Sequence, residues 1–190
     1  MIHEVSSTLA EWLAKERAIS ENDRPLFAYA VYSLLFGLSP MLIAIILGLF
    51  FDMLCEGVIM IVPFIIIRKF SGGQHLKSSV MCLVISTCLL TIAFHVMQSI
   101  FKYGNVSVLS VIVLVSIISI CIFSPIESPA RKISPAQAKI FGLVARALSV
   151  VFGCTYFLFA AIGNKNVAIP LGVGITIPAL LQLPCLLLDY

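Results

Sequence analysis

Charge is what this sequence has least of. Lys, Arg, Asp and Glu make up 11% of the 190 residues, while 61% are hydrophobic. A soluble domain carries about twice that charge and an apolar share nearer half. The apolar residues also fall in long runs, so the composition excludes a soluble globular fold and indicates an integral membrane protein. Paired cysteine motifs are missing too. Cys55, Cys82, Cys88, Cys121, Cys154 and Cys185 all stand in or beside apolar segments, and no two are spaced CxxC. A disulfide framework or a zinc knuckle is therefore not expected, and most of these cysteines read as small apolar side chains. The first 24 residues contain no apolar core of signal-peptide length, so no cleaved signal is expected. Low-complexity tracts and solenoid-length repeats are absent as well. No cofactor, metal or nucleic-acid partner is expected.

What is present begins with a polar N-terminal segment. Ile2, Val5, Leu9, Trp12 and Leu13 recur at helical spacing, and Glu4, Glu11, Lys15, Glu16 and Arg17 fall mostly on other faces. This predicts an amphipathic helix within residues 1–24 lying on the membrane surface. A solvated helix packed on the rest of the protein is the alternative. Six apolar runs follow, at 26–51, 53–67, 79–101, 103–126, 140–162 and 166–188. A helix needs roughly 20 residues to cross the hydrocarbon core, so most of these qualify. The run 53–67 is short, and Glu56 lies near its start. The expected fold is all-α: one transmembrane domain over 1–190, with six spans and an amphipathic N-terminal surface helix.

The basic residues set the orientation. Lys15, Arg17 and Arg24 precede the first span, Arg68, Lys69 and Lys77 follow the second, and Arg131, Lys132 and Lys139 follow the fourth. The alternate loops hold only Lys102 and Lys165. The positive-inside rule then puts both termini and the 68–78 loop in the cytoplasm. In the basic loop 125–139, "SPAQ" reads as a helix start, with Ser134 as N-cap, Pro135 at the first helical position and Gln137 reaching back.

The chemistry-bearing stretch is "RKFSGGQHLKSSVMC", residues 68–82. A thiol becomes a nucleophile when a base takes its proton, and histidine is the usual base near neutral pH. His75 and Cys82 are seven residues apart, about 10 Å along one straight helix, too far for a hydrogen bond. If they act together, the chain must turn before the third span. Gly72 and Gly73 permit that turn, and Ser78 and Ser79 suit the helix start. Cys82 would then lie in the first helical turn, where orphan amides and the helix dipole favour an anion. The chance pairing of a loop histidine with a helix cysteine is the competing reading. His95 and Cys88 extend the pattern towards a metal set, but Cys82 to His95 covers about 20 Å of helix, far beyond a coordination sphere. His95 instead reads as a polar residue buried and hydrogen-bonded inside the bundle.

Arg68, Gly73, His75 and Cys82 in this block resemble the accessory gene regulator B (AgrB) family of bacterial membrane cysteine endopeptidases. Chain length, six expected spans and the basic loop between spans four and five resemble the family as well. The resemblance implies Cys82 as nucleophile and His75 as general base, with Arg68 and Gly73 in support. It implies an AgrD-like precursor peptide with an acidic C-terminal tail as partner, and a homodimer in the bacterial cell membrane. Cleavage would leave an acyl-thioester on Cys82, which a Cys or Ser of the peptide resolves into a thiolactone or lactone for quorum sensing. The clusters Arg68, Lys69 and Lys77, and Arg131, Lys132 and Lys139, would attract the acidic tail; plain topology explains the same charges equally well. Two rival classes stay open. Pro40, Pro63, Pro170, Pro178 and Pro184 would break helices around the pathway of a small transporter, though the spans hold few ionisable residues to line one. A non-catalytic membrane partner using the surface helix and basic loops is the other.

Overall fold

The computed structural model describes residues 2–16, 20–72, 79–126 and 134–187. Besides short turns, they form seven α-helices: α1 (Ile2–Lys15), α2 (Arg24–Phe50), α3 (Leu54–Ser71), α4 (Ser79–Tyr103), α5 (Val106–Phe123), α6 (Pro135–Ile162) and α7 (Lys165–Leu187). A single 3-10 turn, Glu21–Asp23, precedes α2. Five helices, α2 and α4 to α7, are long and apolar enough to cross a membrane. In lipid a helix is the natural answer, because it satisfies its backbone polar groups internally. Each of the six apolar runs overlaps one of the helices α2 to α7. α3 runs further than its apolar run, to Ser71, and so takes Arg68 and Lys69 out of the expected loop and into its last helical turn. With Glu56 in its first turn, α3 carries more charge than the other five.

The chain divides into two compact units, residues 1–42 and 43–190. In the first, α1 buries Ser6, Ala10 and Ala14, small residues one turn apart, and exposes Val5, Leu9 and Trp12. The Arg24 guanidinium at the start of α2 forms a salt bridge with the Glu11 carboxylate of α1.

In the second unit α7 is the centre. It has 67% of its apolar stretch buried, against 14–22% for the other four long apolar helices. Close approach is what buries it. A Cβ built on Gly174 would lie 2.2 Å from the Met60 carbonyl oxygen of α3 and 2.7 Å from Pro63. One on Gly172 would lie 2.7 Å from the Tyr156 ring of α6. Small residues serve here as they do in membrane helix pairs generally, by letting backbones touch. Tyr156, fully buried, shares a hydrogen bond with Ser110 Oγ of α5 at 3.0 Å.

α4 is held mainly by its second half. Leu90, Ala93, Phe94 and Met97 are buried, whereas no residue between Val80 and Leu89 is. Phe94 stacks on Phe51 at 5.4 Å and abuts Gly57. The expected helix start at α6 is present: Gln137 N–H donates to Ser134 Oγ, and Ser134 N–H donates to Gln137 Oε1.

The glycines separate two costs. At Gly174 an added methyl meets backbone; at Gly153 it meets only the tip of Ile117, 2.4 Å from its Cδ1. Gly174→Ala should destabilise the bundle by about 1–3 kcal/mol, and Gly153→Ala by clearly less. Thermal melting of both variants in detergent checks the order.

Candidate functional site

The stretch from Arg68 to Cys82 is not one helix. α3 ends at Ser71, Gly72 adopts φ +76°, and α4 starts anew at Ser79. Gly72 is held in a tight place. It pairs with Ile126 in a lone parallel bridge, and a Cβ on it would lie 2.1 Å from the Ile126 carbonyl oxygen. Only glycine combines that dihedral with that approach. Cys82 therefore stands in the first turn of α4, half-buried, as the break in the chain requires. The first four amides of any helix lack an intrahelical acceptor, so N–H groups without a partner in their own helix gather where Cys82 sits.

One turn before the end of α3 stands Arg68, half-buried. Its guanidinium is within Coulombic range of two thiols, Cys82 on α4 and Cys185 on α7. Three helices thus bring one cation and two sulfurs to the same end of the bundle. Beside them lies a buried polar knot. Ser71 and Gln182 are fully buried and Ser124 nearly so. The Gln182 Nε2 donates to Ser124 Oγ at 2.9 Å and to the Ser71 carbonyl at 3.4 Å, and Ile126 N–H donates to that same carbonyl at 3.0 Å. Among the described residues, Gln182 Oε1 and Ser71 Oγ are buried and have no hydrogen-bond partner.

Other expected site residues fare differently. Gly73, His75, Lys77, Arg131 and Lys132 lie outside the described residues. Lys69 is exposed, with its ammonium 5.8 Å from the Phe70 ring, and Lys139 is exposed on α6. His95 is not buried within the bundle as expected. It is exposed, touches the Phe51 ring edge-on at 4.9 Å, and lines a cavity of about 430 Å³ with Ser99 and Tyr103. The reason is its place on α4: it faces away from the stripe formed by Leu90, Ala93, Phe94 and Met97. Cavities of about 410 and 540 Å³ open near the α4–α5 and α6–α7 turns, the opposite end of the helices from Cys82. They do not coincide with the motif. Gln182 carries no charge, and in an apolar run scanned only for Asp, Glu, Lys and Arg it gives no signal. A scan for amides would have raised it, since a polar side chain in such a run is costly and marks function by default.

The sequence model of the accessory gene regulator B family matches residues 6–183. The chain belongs to the AgrB family. A "Putative AgrB-like protein 2" of Clostridium perfringens (strain 13 / Type A) is 28% identical over 147 residues, covering 73% of this chain and 67% of that protein. A "Putative AgrB-like protein" of C. perfringens (strain SM101 / Type A) is 27% identical over the same shares. No solved structure matches the chain. As an AgrB-family member with several membrane-crossing helices, the protein is a multi-pass membrane protein with a role in agr quorum-sensing peptide processing.

Two glycines with positive φ test the knot. Gly163, φ +81°, caps α6 in open space, whereas Gly72 faces the Ile126 carbonyl. Gly163→Ala should cost about 1 kcal/mol, the strain of the dihedral alone. Gly72→Ala should cost more and loosen the Gly72–Ile126 pairing, read as a lower melting point and faster proteolysis between residues 72 and 79.

Proposed function

We propose that this AgrB-family chain is a membrane-embedded cysteine endopeptidase that removes the C-terminal tail of an AgrD-like precursor and promotes its cyclisation. The reading is supported by the break between α3 and α4, which puts Cys82 in the first turn of a helix, with the Arg68 charge within Coulombic range of that thiol. In this reading α3 is the sixth crossing, shorter than its neighbours and with its charges at its two ends. The termini, Cys82 and the basic residues are cytoplasmic, as the Lys and Arg distribution favours. α1 lies on the membrane surface with Val5, Leu9 and Trp12, all exposed, in the lipid interface. The working unit is a homodimer, as the family resemblance implies.

His75 takes the Cys82 proton, and the thiolate attacks the carbonyl carbon that ends the signal segment. Arg68 and the orphan amides of the first turn of α4 supply positive potential to the oxyanion. Collapse breaks the C–N bond. The tail leaves as an amine protonated by His75, and the acyl group remains on Cys82 as a thioester. A thiol or hydroxyl of the peptide then attacks that thioester, closes the ring and returns the proton and thiol to the enzyme. With a thiol one thioester replaces another at little net cost, with a hydroxyl the thioester becomes a more stable ester, and a site that sheds water at the membrane surface disfavours hydrolysis. Gly73 serves the turn, and Lys69, Lys77, Arg131, Lys132 and Lys139 hold the acidic tail. The transporter alternative draws less support. Pro40, Pro63, Pro170, Pro178 and Pro184 all lie inside continuous helices, and α7, which carries three of them, is packed by protein.

Co-expression with a precursor tagged at both ends tests this directly. The wild type should release the tail, and Cys82→Ala and His75→Ala should each lose at least about 100-fold of that activity at equal membrane level. Tail release by Cys82→Ala would return the protein to the transporter or partner class. Fluorescent-protein fusions at residues 1 and 190 should both glow in the cytoplasm if α3 crosses; a mismatch would leave five spans.

A further inference from the structure

We propose that the end of the bundle opposite Cys82 binds a zwitterionic phospholipid headgroup, a primary ammonium joined to a phosphate. The site is the cavity of about 540 Å³ lined by Met53 and Glu56 at the start of α3, Gln98, Phe101 and Lys102 near the end of α4, and Asn166 in the first turn of α7. All six residues belong to the second unit. The inference stands apart from the peptidase reading, because it concerns the other end of the helices and involves no reaction.

The charges point to the ligand. Glu56 is half-buried, and Lys102 is exposed with its ammonium 4.9 Å from the centre of the Tyr103 ring. An acid and a base on one cavity of so apolar a chain would be expected to join. They do not: among the described residues, neither Glu56 nor Lys102 is in an ion pair, and the side chains of Gln98 and Asn166 make no hydrogen bond. The cavity thus presents one negative group, one positive group and two amides that can donate or accept. A single ligand carrying both charges suits this better than a simple ion. A bare anion drawn to Lys102 meets Glu56, and a bare cation drawn to Glu56 meets Lys102.

Depth identifies the source of such a ligand. Glu56 stands in the first turn of α3, Lys102 in the last turn of α4 and Asn166 in the first turn of α7. The ends of membrane-crossing helices lie where hydrocarbon gives way to headgroups. Tyr103, exposed beside Lys102, is a residue type that collects at that level. The phosphate is placed at Lys102 and at the Asn166 amide, which has no acceptor within α7. The ammonium donates to the Glu56 carboxylate. Gln98 and the Asn166 side chain can serve either group. A choline headgroup has the same charges but no N–H to donate. A glycerol headgroup brings a negative charge and leaves Glu56 without a cation. The site therefore selects phosphatidylethanolamine over phosphatidylcholine and phosphatidylglycerol, and one headgroup bridges α3, α4 and α7.

The test uses the full chain purified in detergent, with the three lipids added at matched acyl chains. Phosphatidylethanolamine should raise the melting point by at least about 2 °C more than either of the others. Soluble glycerophosphoethanolamine at the same concentration should give no such rise; an equal rise would assign the cavity to a free solute and overturn the lipid proposal. Native mass spectrometry of the same samples reads binding directly. Glu56→Gln and Lys102→Gln should each weaken phosphatidylethanolamine binding about 10-fold, as expected for one charge-assisted hydrogen bond. Arg146→Gln removes an exposed cation from α6 and should bind as the wild type does. If Glu56→Gln fails to fold, Lys102→Gln decides, since Lys102 is exposed and its loss leaves the packing intact. A wild type without preference among the three lipids, or an unchanged preference in Lys102→Gln, would overturn the proposal.

Discussion

At Gly174 the backbone of α7 comes so close to Met60 of α3 that no side chain fits between them. Much else in the second unit follows from that approach. α7 contains Pro170, Pro178 and Pro184, and each removes an amide donor from the helix ladder. By the helical repeat, the carbonyls of Asn166, Gly174 and Leu180 lose their usual donors. Facing lipid, such a group would be expensive; at Gly174, buried where α3, α5 and α6 wrap α7, it is shielded from hydrocarbon, whereas Asn166 and Leu180 are exposed. The prolines and the glycines of α7 are thus two sides of one arrangement. The glycines let neighbours close in, and the neighbours make the prolines tolerable.

Because α7 is anchored so firmly, its last turns can carry chemistry. Gln182 and Cys185 are one turn apart on that helix, as Arg68 and Ser71 are on α3. The two pairs meet at the end of the bundle, Gln182 through the Ser71 carbonyl and Cys185 through the Arg68 charge. α4 contributes differently. Its second half is packed by Leu90, Phe94 and Met97, while in its first half the residues from Val80 to Leu89, Cys82 among them, are at most half-buried. The nucleophile proposed for the reaction therefore sits on the least encumbered part of a helix whose far end is fixed.

The sequence makes the helices legible because their lengths and apolar runs report directly on the hydrocarbon thickness. It also makes the α6 start legible, since Ser134, Pro135 and Gln137 act locally. Burial is another matter. Lipid and protein interior are equally apolar, so hydrophobicity cannot tell a central helix from a peripheral one. That is why α7 looks like any other span until its glycines are matched to Met60 and Tyr156, and why His95 reads as buried when it is exposed. The extension of α3 past residue 67 was hidden for a related reason. Arg68 and Lys69 look like loop residues by charge, yet a cation in the last turn of a helix is favoured by the helix dipole. The place of Cys82 near a helix start is legible from the glycines and serines before it; the polar knot of Gln182 is not, because it belongs to no local pattern and is formed with residues 58 and 111 positions away.

The pairing of Gly72 with Ile126 bears on the basic residues. The positive-inside rule explains why Lys and Arg lie on one side of a membrane, but it says nothing about where on that side. Here the segments that follow α3 and α5 depart from adjacent residues, locked by the Ile126–Ser71 hydrogen bond and by Gln182. Lys77 is five residues beyond Gly72 and Arg131 five beyond Ile126, so each is tethered within about 18 Å of the same point. Arg68 is already there. Topology alone would be satisfied by loops rooted anywhere along the cytoplasmic face. In the peptidase reading proposed above, a common root for both cationic segments, beside a cysteine at a helix start, would concentrate positive potential on one spot. Such focusing is what recognition of an acidic peptide segment requires.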